Sequence, residues 1–120
     1  MDDKVGFEFE IDVLTPETLP MKRLAAYLKA LSSVMGESEA VCFKRVEKGS
    51  ALLQSEVIDH KAATRVVNRM QAVRENEGPT EARKGFNDIN KLLKQDGAVG
   101  YLKVIYGLPA ANSDLYFPGR

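Results

Sequence analysis

The chain has 120 residues with 17 basic and 17 acidic side chains, so its formal net charge is zero. A neutral chain has no overall electrostatic preference for nucleic acid or for an anionic membrane. The single cysteine and single histidine exclude an intrachain disulfide and a Cys/His zinc site, which needs about four ligands. No apolar run reaches the roughly 20 residues of a membrane span, and no apolar signal-peptide core opens the sequence. We therefore expect one cytoplasmic domain over residues 1–120.

The first predicted element is a β-strand over residues 5–13. Its odd positions are apolar and its even positions are glycine or acidic, which is the alternation of a strand with one buried face. The even positions put Glu8, Glu10 and Asp12 in a row about 7 Å apart. Carboxylates on one straight strand do not converge on a metal, so we interpret them as a solvated face paired across the sheet. The candidate partners are Lys44, Arg45, Lys48 and Lys103.

A turn and a first helix follow this strand. Two prolines in residues 15–20 predict the turn. Apolar side chains then recur every three or four residues from Met21 to Met35, and Gly36 is placed to end the helix. Arg23 is among the basic side chains that we expect to face water. The apolar stripe predicts packing on the first strand, although a seam for a partner would give the same pattern.

Two further strands are predicted at residues 40–46 and 50–58. The short connection between them contains Gly49, which is typical of a β-hairpin. The first of these strands does not alternate cleanly, and a β-bulge near Lys44 and Arg45 would restore its apolar side chains to one face. Cys42 lies within this strand, and we interpret it as a small buried hydrophobic residue rather than a reactive thiol.

Two more helices are predicted in the second half of the chain. Asp59 is a good N-cap for a helix from His60 to about Arg74, and Pro79 begins a helix over residues 79–95. Each helix has an apolar stripe that faces the core. No nucleophile motif accompanies the histidine, so we interpret it as an ordinary residue of the first helical turn.

Basic side chains are concentrated in this part of the sequence, since residues 60–94 hold 8 basic and 4 acidic side chains. Four of the basic residues form a candidate basic helix face. They are Lys61, Arg65, Arg69 and Arg74. Phosphate contacts need such a face, but no helix-turn-helix, ribonucleoprotein or zinc-finger motif accompanies it. A solvated face is the simpler interpretation, and nucleic-acid binding is the alternative.

The last long strand is predicted at residues 99–106, and a short edge strand at residues 115–117. Nearly continuous apolarity in the long strand is typical of a strand covered on both faces or lying at a contact between chains. Simple alternation puts Tyr106 on the same face as Leu102 and Val104. The aromatic residues near the end form a candidate interaction edge. They are Tyr106, Tyr116 and Phe117.

The element order is therefore β-α-β-β-α-α-β(-β). It predicts an α+β fold, a two-layer sandwich whose mainly antiparallel or mixed sheet has four to five strands, with three helices packed on one face. Four segments resemble a group of uncharacterised bacterial proteins. They are residues 7–13, 15–21, 48–51 and 117–120. The resemblance covers most of the chain and implies a bacterial origin and a native chain that continues past Arg120. The resemblance implies no functional residue in this chain.

The hypothesis that follows is a non-enzymatic protein-interaction or assembly module, with no catalytic residue, cofactor or metal ligand assigned. Its partner is another protein or a second copy of the chain in a homo-oligomer, and a membrane is not expected. Two alternatives stay open. One is nucleic-acid binding through the basic helix face, and the other is a small-ligand or metal-binding enzyme that uses Glu8, Glu10 or Asp12.

Overall fold

The computed structural model describes residues 4–12, 21–36, 41–47, 51–109 and 113–119, with the backbone alone described for 41–47, 51 and 52. The elements are β1 (Val5–Ile11), α1 (Met21–Met35), β2 (Val41–Glu47), β3 (Ala51–Val57), α2 (His60–Arg74), α3 (Thr80–Asp96), β4 (Gly100–Tyr106) and β5 (Leu115–Phe117). This order is the predicted one. The turns predicted at residues 15–20 and around Gly49 lie outside the described residues.

The five strands form one sheet in the order β2-β3-β1-β4-β5, and every neighbouring pair is antiparallel. The apolar side of β1 is buried against the helices, with Phe7 and Phe9 at most 1% exposed. Each buried phenylalanine contributes about 1.5–3 kcal/mol through the hydrophobic effect. All three helices share one core cluster with this side of the sheet. The predicted α+β fold, with three helices on one face of a sheet, is confirmed.

Local side chains set the ends of α2 and α3. The Asp59 carboxylate accepts a hydrogen bond from the backbone N–H of Lys61 at 3.0 Å, which caps the first turn of α2. Pro79 precedes the first residue of α3, and Gly97 ends that helix with a φ of 66°. A left-handed glycine is the usual helix stop because it has no Cβ to clash. These signals explain why the predicted helix bounds hold to about one residue.

Helices α1 and α3 run antiparallel and approach each other closely. At one end Arg23 of α1 lies beside Asp96 of α3. Further along, a methyl group on Gly85 of α3 would lie 2.7 Å from the carbonyl oxygen of Ala30 and 2.9 Å from the Cβ of Ser33. The glycine is therefore what allows the two backbones to come this near.

A β-bulge between β1 and β4 changes the direction of Tyr106. Phe7 pairs with Val104, but the register then shifts and Gly6 pairs with Tyr106, which leaves Ile105 as the extra residue. The predicted position of Tyr106 beside Val104 is therefore wrong. The bulge turns Tyr106 to the opposite face of the sheet, where its ring lies on Gly6.

The bulge predicted near Lys44 and Arg45 is not found in β2. Strands β2 and β3 pair in continuous register over seven residue pairs, with no shift. The irregularity of the sheet thus lies at the other side of β1, beside β4.

Phe117 belongs to the core and not to an exposed interaction edge. Its side chain is fully buried. Its ring meets Phe9 edge-on at 5.4 Å between centroids and lies 5.0 Å from Phe86. The prediction treated the aromatic ending as one exposed unit, but alternation along the three residues of β5 turns only Tyr116 outward.

Candidate functional site

The sheet face opposite the helices is the first candidate site, and we call it the open face. Its described side chains include Glu8, Glu10, Gln54, Glu56, Tyr101, Lys103, Tyr106 and Tyr116. In the part of the chain that the structure describes, the helices all pack on the other side. Tyr106 and Tyr116 are 44% and 50% exposed, so two residues of the predicted interaction edge do reach the surface.

The carboxylates of the open face have separate partners. Gln54 Nε2 donates a hydrogen bond to Glu8 Oε1 at 3.2 Å. Lys103 Nζ lies 4.0 Å from Glu10 Oε2, so the predicted pairing of the acidic row across the sheet is confirmed for this residue. Within the described ranges, no group of three or more histidine, cysteine, aspartate or glutamate residues could hold a metal ion. The metal-binding alternative gains no support from this geometry.

The tyrosines of the open face are arranged in two places. Tyr101 lies against Tyr116 with 5.2 Å between ring centroids, and Lys103 Nζ is 5.5 Å from the centroid of the Tyr101 ring. Tyr106 Oη donates a 2.6 Å hydrogen bond to Glu56 Oε2. The face thus combines flat aromatic rings with carboxylates, which is a composition suited to binding a cation.

The predicted basic helix face of α2 is divided by the fold. Three of its residues are exposed, namely Lys61, Arg65 and Arg74. Arg69 is half-buried instead, and it donates hydrogen bonds to the carbonyl oxygens of Val34 at 3.1 Å and Ser33 at 2.8 Å. These carbonyls belong to the last turn of α1, whose acceptors have no partner within their own helix. Arg69 therefore caps α1 and is held away from the exposed stripe.

Arg23 likewise joins two helices, at the C-terminal end of α3, although it was expected to face water. It donates to the carbonyl oxygen of Leu92 at 3.0 Å and to Asp96 Oδ2 at 2.7 Å. The hydrogen bond that Arg23 donates to Asp96 raises the pKa of Arg23, and burial opposes this shift. Tyr27 Oη, which is fully buried, donates to the same Oδ2 at 2.6 Å. We call Arg23, Tyr27 and Asp96 the polar cluster.

The pKa of Tyr27 predicts a specific pH dependence of stability. Burial, together with the hydrogen bond to Asp96, raises this pKa above its ordinary value of 10.0. In the unfolded chain the tyrosine loses its proton above about pH 10, whereas in the folded chain it keeps it. The contribution of Tyr27 to the free energy of unfolding is therefore fully present below that pH. Above it, the contribution falls by about 1.4 kcal/mol per pH unit.

We expect the difference in unfolding free energy between the wild type and Tyr27→Phe to shrink as the pH rises above about 10. Urea titrations of both proteins across this range measure that difference. Subtracting the unfolding free energy of the variant cancels the contributions of the other groups that titrate in alkali. A difference that stays constant would show that Tyr27 ionises equally well in the folded chain.

A groove between α1 and α3 is the second candidate site, and we call it the α1/α3 groove. It has a volume of about 350 Å³ and is lined by Ala26, Lys29, Ala30, Ser33, Lys84, Asp88, Lys91 and Leu92. Sequence reasoning missed it. A usable signal was present, because the small residues Ala26, Ala30 and Ser33 recur at helical spacing and mark a face that another helix can approach closely.

Comparison of the chain with protein-family models, with curated proteins and with solved structures found no match. Among the helices of the described ranges, none combines the length and the apolarity that crossing a membrane requires. The two candidate sites therefore rest on their own geometry.

Proposed function

We propose that the protein is a binding module that docks an arginine-bearing segment of another protein on its open face. The observation that carries the proposal is the position of Lys103, whose ammonium lies 5.5 Å from the centroid of the Tyr101 ring and 4.0 Å from the carboxylate of Glu10. This internal cation occupies a site built from one aromatic ring and one carboxylate.

A guanidinium group from a partner finds the same two kinds of contact on the neighbouring strands. Tyr116 lies against Tyr101 and leaves half of its surface exposed. Arginine stacks on aromatic faces and pairs with carboxylates through a planar fork of donors. Lys103 holds Glu10 only at 4.0 Å, so its contact is loose enough for a better-fitting cation to replace.

The composition of the face supports a protein partner. Tyrosine is enriched where proteins meet, because it offers a large rigid ring and a polar tip at low entropic cost. The described side chains of the open face include three glutamates and one lysine, so the charge of this described part is negative. This charge favours a basic partner and disfavours the phosphate backbone of a nucleic acid.

The test is a selection of random peptides displayed on phage, using the wild type as bait. We expect the enriched peptides to contain arginine and to bind in fluorescence anisotropy. The double variant Tyr101→Ser/Tyr116→Ser should weaken binding about tenfold, which corresponds to about 1.4 kcal/mol. The variant Lys103→Gln should strengthen it about threefold, because the internal competitor is gone.

Met21→Ser serves as the matched control, since Met21 is 72% exposed on α1, away from the open face, and its removal should leave peptide affinity unchanged. Enriched peptides without basic residues, or binding indifferent to both tyrosines, would overturn the proposal. If the purified chain self-associates in sedimentation velocity and the double variant does not, the partner of the open face is a second copy of the chain and not another protein.

A further inference from the structure

We infer that the α1/α3 groove is a binding site for a phosphate-bearing small molecule. The groove lies between helices on the far side of the sandwich from the open face, so this inference does not depend on the proposed function. The charge of the groove, its volume and its apolar floor support the inference.

The groove carries more positive than negative charge. Lys84 Nζ pairs with Asp88 Oδ2 at 3.1 Å. The other two lysines of the groove, Lys29 and Lys91, have no acidic partner within the described ranges. Three lysines from two helices thus line the groove together with one aspartate, which leaves two positive charges uncompensated. A ligand with several negative oxygens can contact more than one of these lysines at once.

The volume and the floor favour a small molecule over a polymer. About 350 Å³ falls at the lower end of the roughly 300–1,000 Å³ typical of small-molecule pockets. The floor is apolar because Ala26 and Ala30 of α1 contribute short nonpolar side chains. Gly85 lets α3 come close to α1 beside Ala30. An apolar floor below a cationic rim accommodates a ring or chain that carries phosphate groups.

The test is a titration of ¹⁵N-labelled full-length protein with inorganic pyrophosphate and, separately, with ADP, at low salt. We expect the amide signals of the α1 and α3 residues that line the groove to shift. Lys29→Gln and Lys91→Gln should each weaken binding about threefold, and the double variant about tenfold. Asp88→Asn should strengthen binding about threefold, because it removes a repulsive charge and releases Lys84.

Lys94→Gln is the matched control, since Lys94 is exposed on α3 and does not line the groove. Its affinity should equal that of the wild type. Tighter binding of ADP than of pyrophosphate supports the inference and indicates that the nucleoside contacts the apolar floor of the groove. Equal binding also supports it and assigns recognition to phosphate alone. Three results would overturn the inference. They are an affinity for pyrophosphate and ADP that is unchanged in Lys29→Gln and Lys91→Gln, a weaker affinity in Asp88→Asn, and a weaker affinity in Lys61→Gln on α2.

Discussion

Replacing Asp96 with alanine is expected to lower the free energy of unfolding by about 2–4 kcal/mol. Asp96 Oδ2 accepts hydrogen bonds from both Tyr27 and Arg23. A buried hydroxyl left without its acceptor costs about 1–3 kcal/mol, and the partly exposed ion pair adds about 1 kcal/mol. Arg23 Nε is already a buried donor without a partner in the described chain. Urea unfolding followed by circular dichroism measures the loss.

Asp88→Ala is the control for this substitution, because it removes an aspartate from the same helix. Asp88 pairs with Lys84 at the solvent-accessible α1/α3 groove, and their side chains are 41% and 75% exposed. Such a pair contributes at most about 0.5 kcal/mol. Equal losses in the two variants would mean that the carboxylate of Asp96 is no more important than one on the surface, and the polar cluster would lose its structural role.

The parts of the fold that were predictable are those set by neighbours in sequence. Asp59 accepts from an N–H two residues away, and the α2 bounds follow from it. Alternation along β1 identified Phe7 and Phe9 as core because each residue of a strand reverses the side-chain direction. Local rules of this kind depend on a few bonds and hold whatever the rest of the chain does.

The parts that were not predictable depend on contacts between distant segments. Arg69 bonds to carbonyls 35 and 36 residues away, and Arg23 to α3 carbonyl and carboxylate oxygens about 70 residues away. A helical wheel places each arginine on a polar stripe and cannot indicate that another helix ends beside it. The side chain of Tyr106 was assigned to the wrong face for a related reason. A bulge reverses the alternation at one residue, and the sequence of β4 does not indicate where the bulge lies.

The candidate sites show the same division. The tyrosines of the open face could be named from the sequence, but the juxtaposition of Tyr101 and Tyr116 with Glu10 and Lys103 depends on β4 lying between β1 and β5. The lysines of the α1/α3 groove come from helices that are separated by two strands and another helix in the sequence. Charge patterning along one helix therefore pointed to α2, whereas the groove combines charges from two helices.

Gly85→Val is expected to destabilise the protein by about 3 kcal/mol, or to prevent folding. Even one carbon at this position would lie 2.7 Å from the carbonyl oxygen of Ala30 and 3.0 Å from the backbone nitrogen of Val34. Backbone atoms cannot rotate away as a side chain would, so α1 and α3 must separate. Overpacking of this kind costs about 1–3 kcal/mol or more, and separation also uncovers core residues beneath the helices.

Alanine at Gly85 distinguishes packing from helix propensity, because the two effects have opposite signs. On an exposed helical surface, glycine to alanine stabilises by about 1 kcal/mol, whereas here we expect a net loss of about 1 kcal/mol or more. Asn87→Ala, at an exposed position of the same helix, should be neutral or slightly stabilising. A gain in stability for Gly85→Ala, measured by urea unfolding, would mean that the two helices lie farther apart than their contact through Ala30 requires.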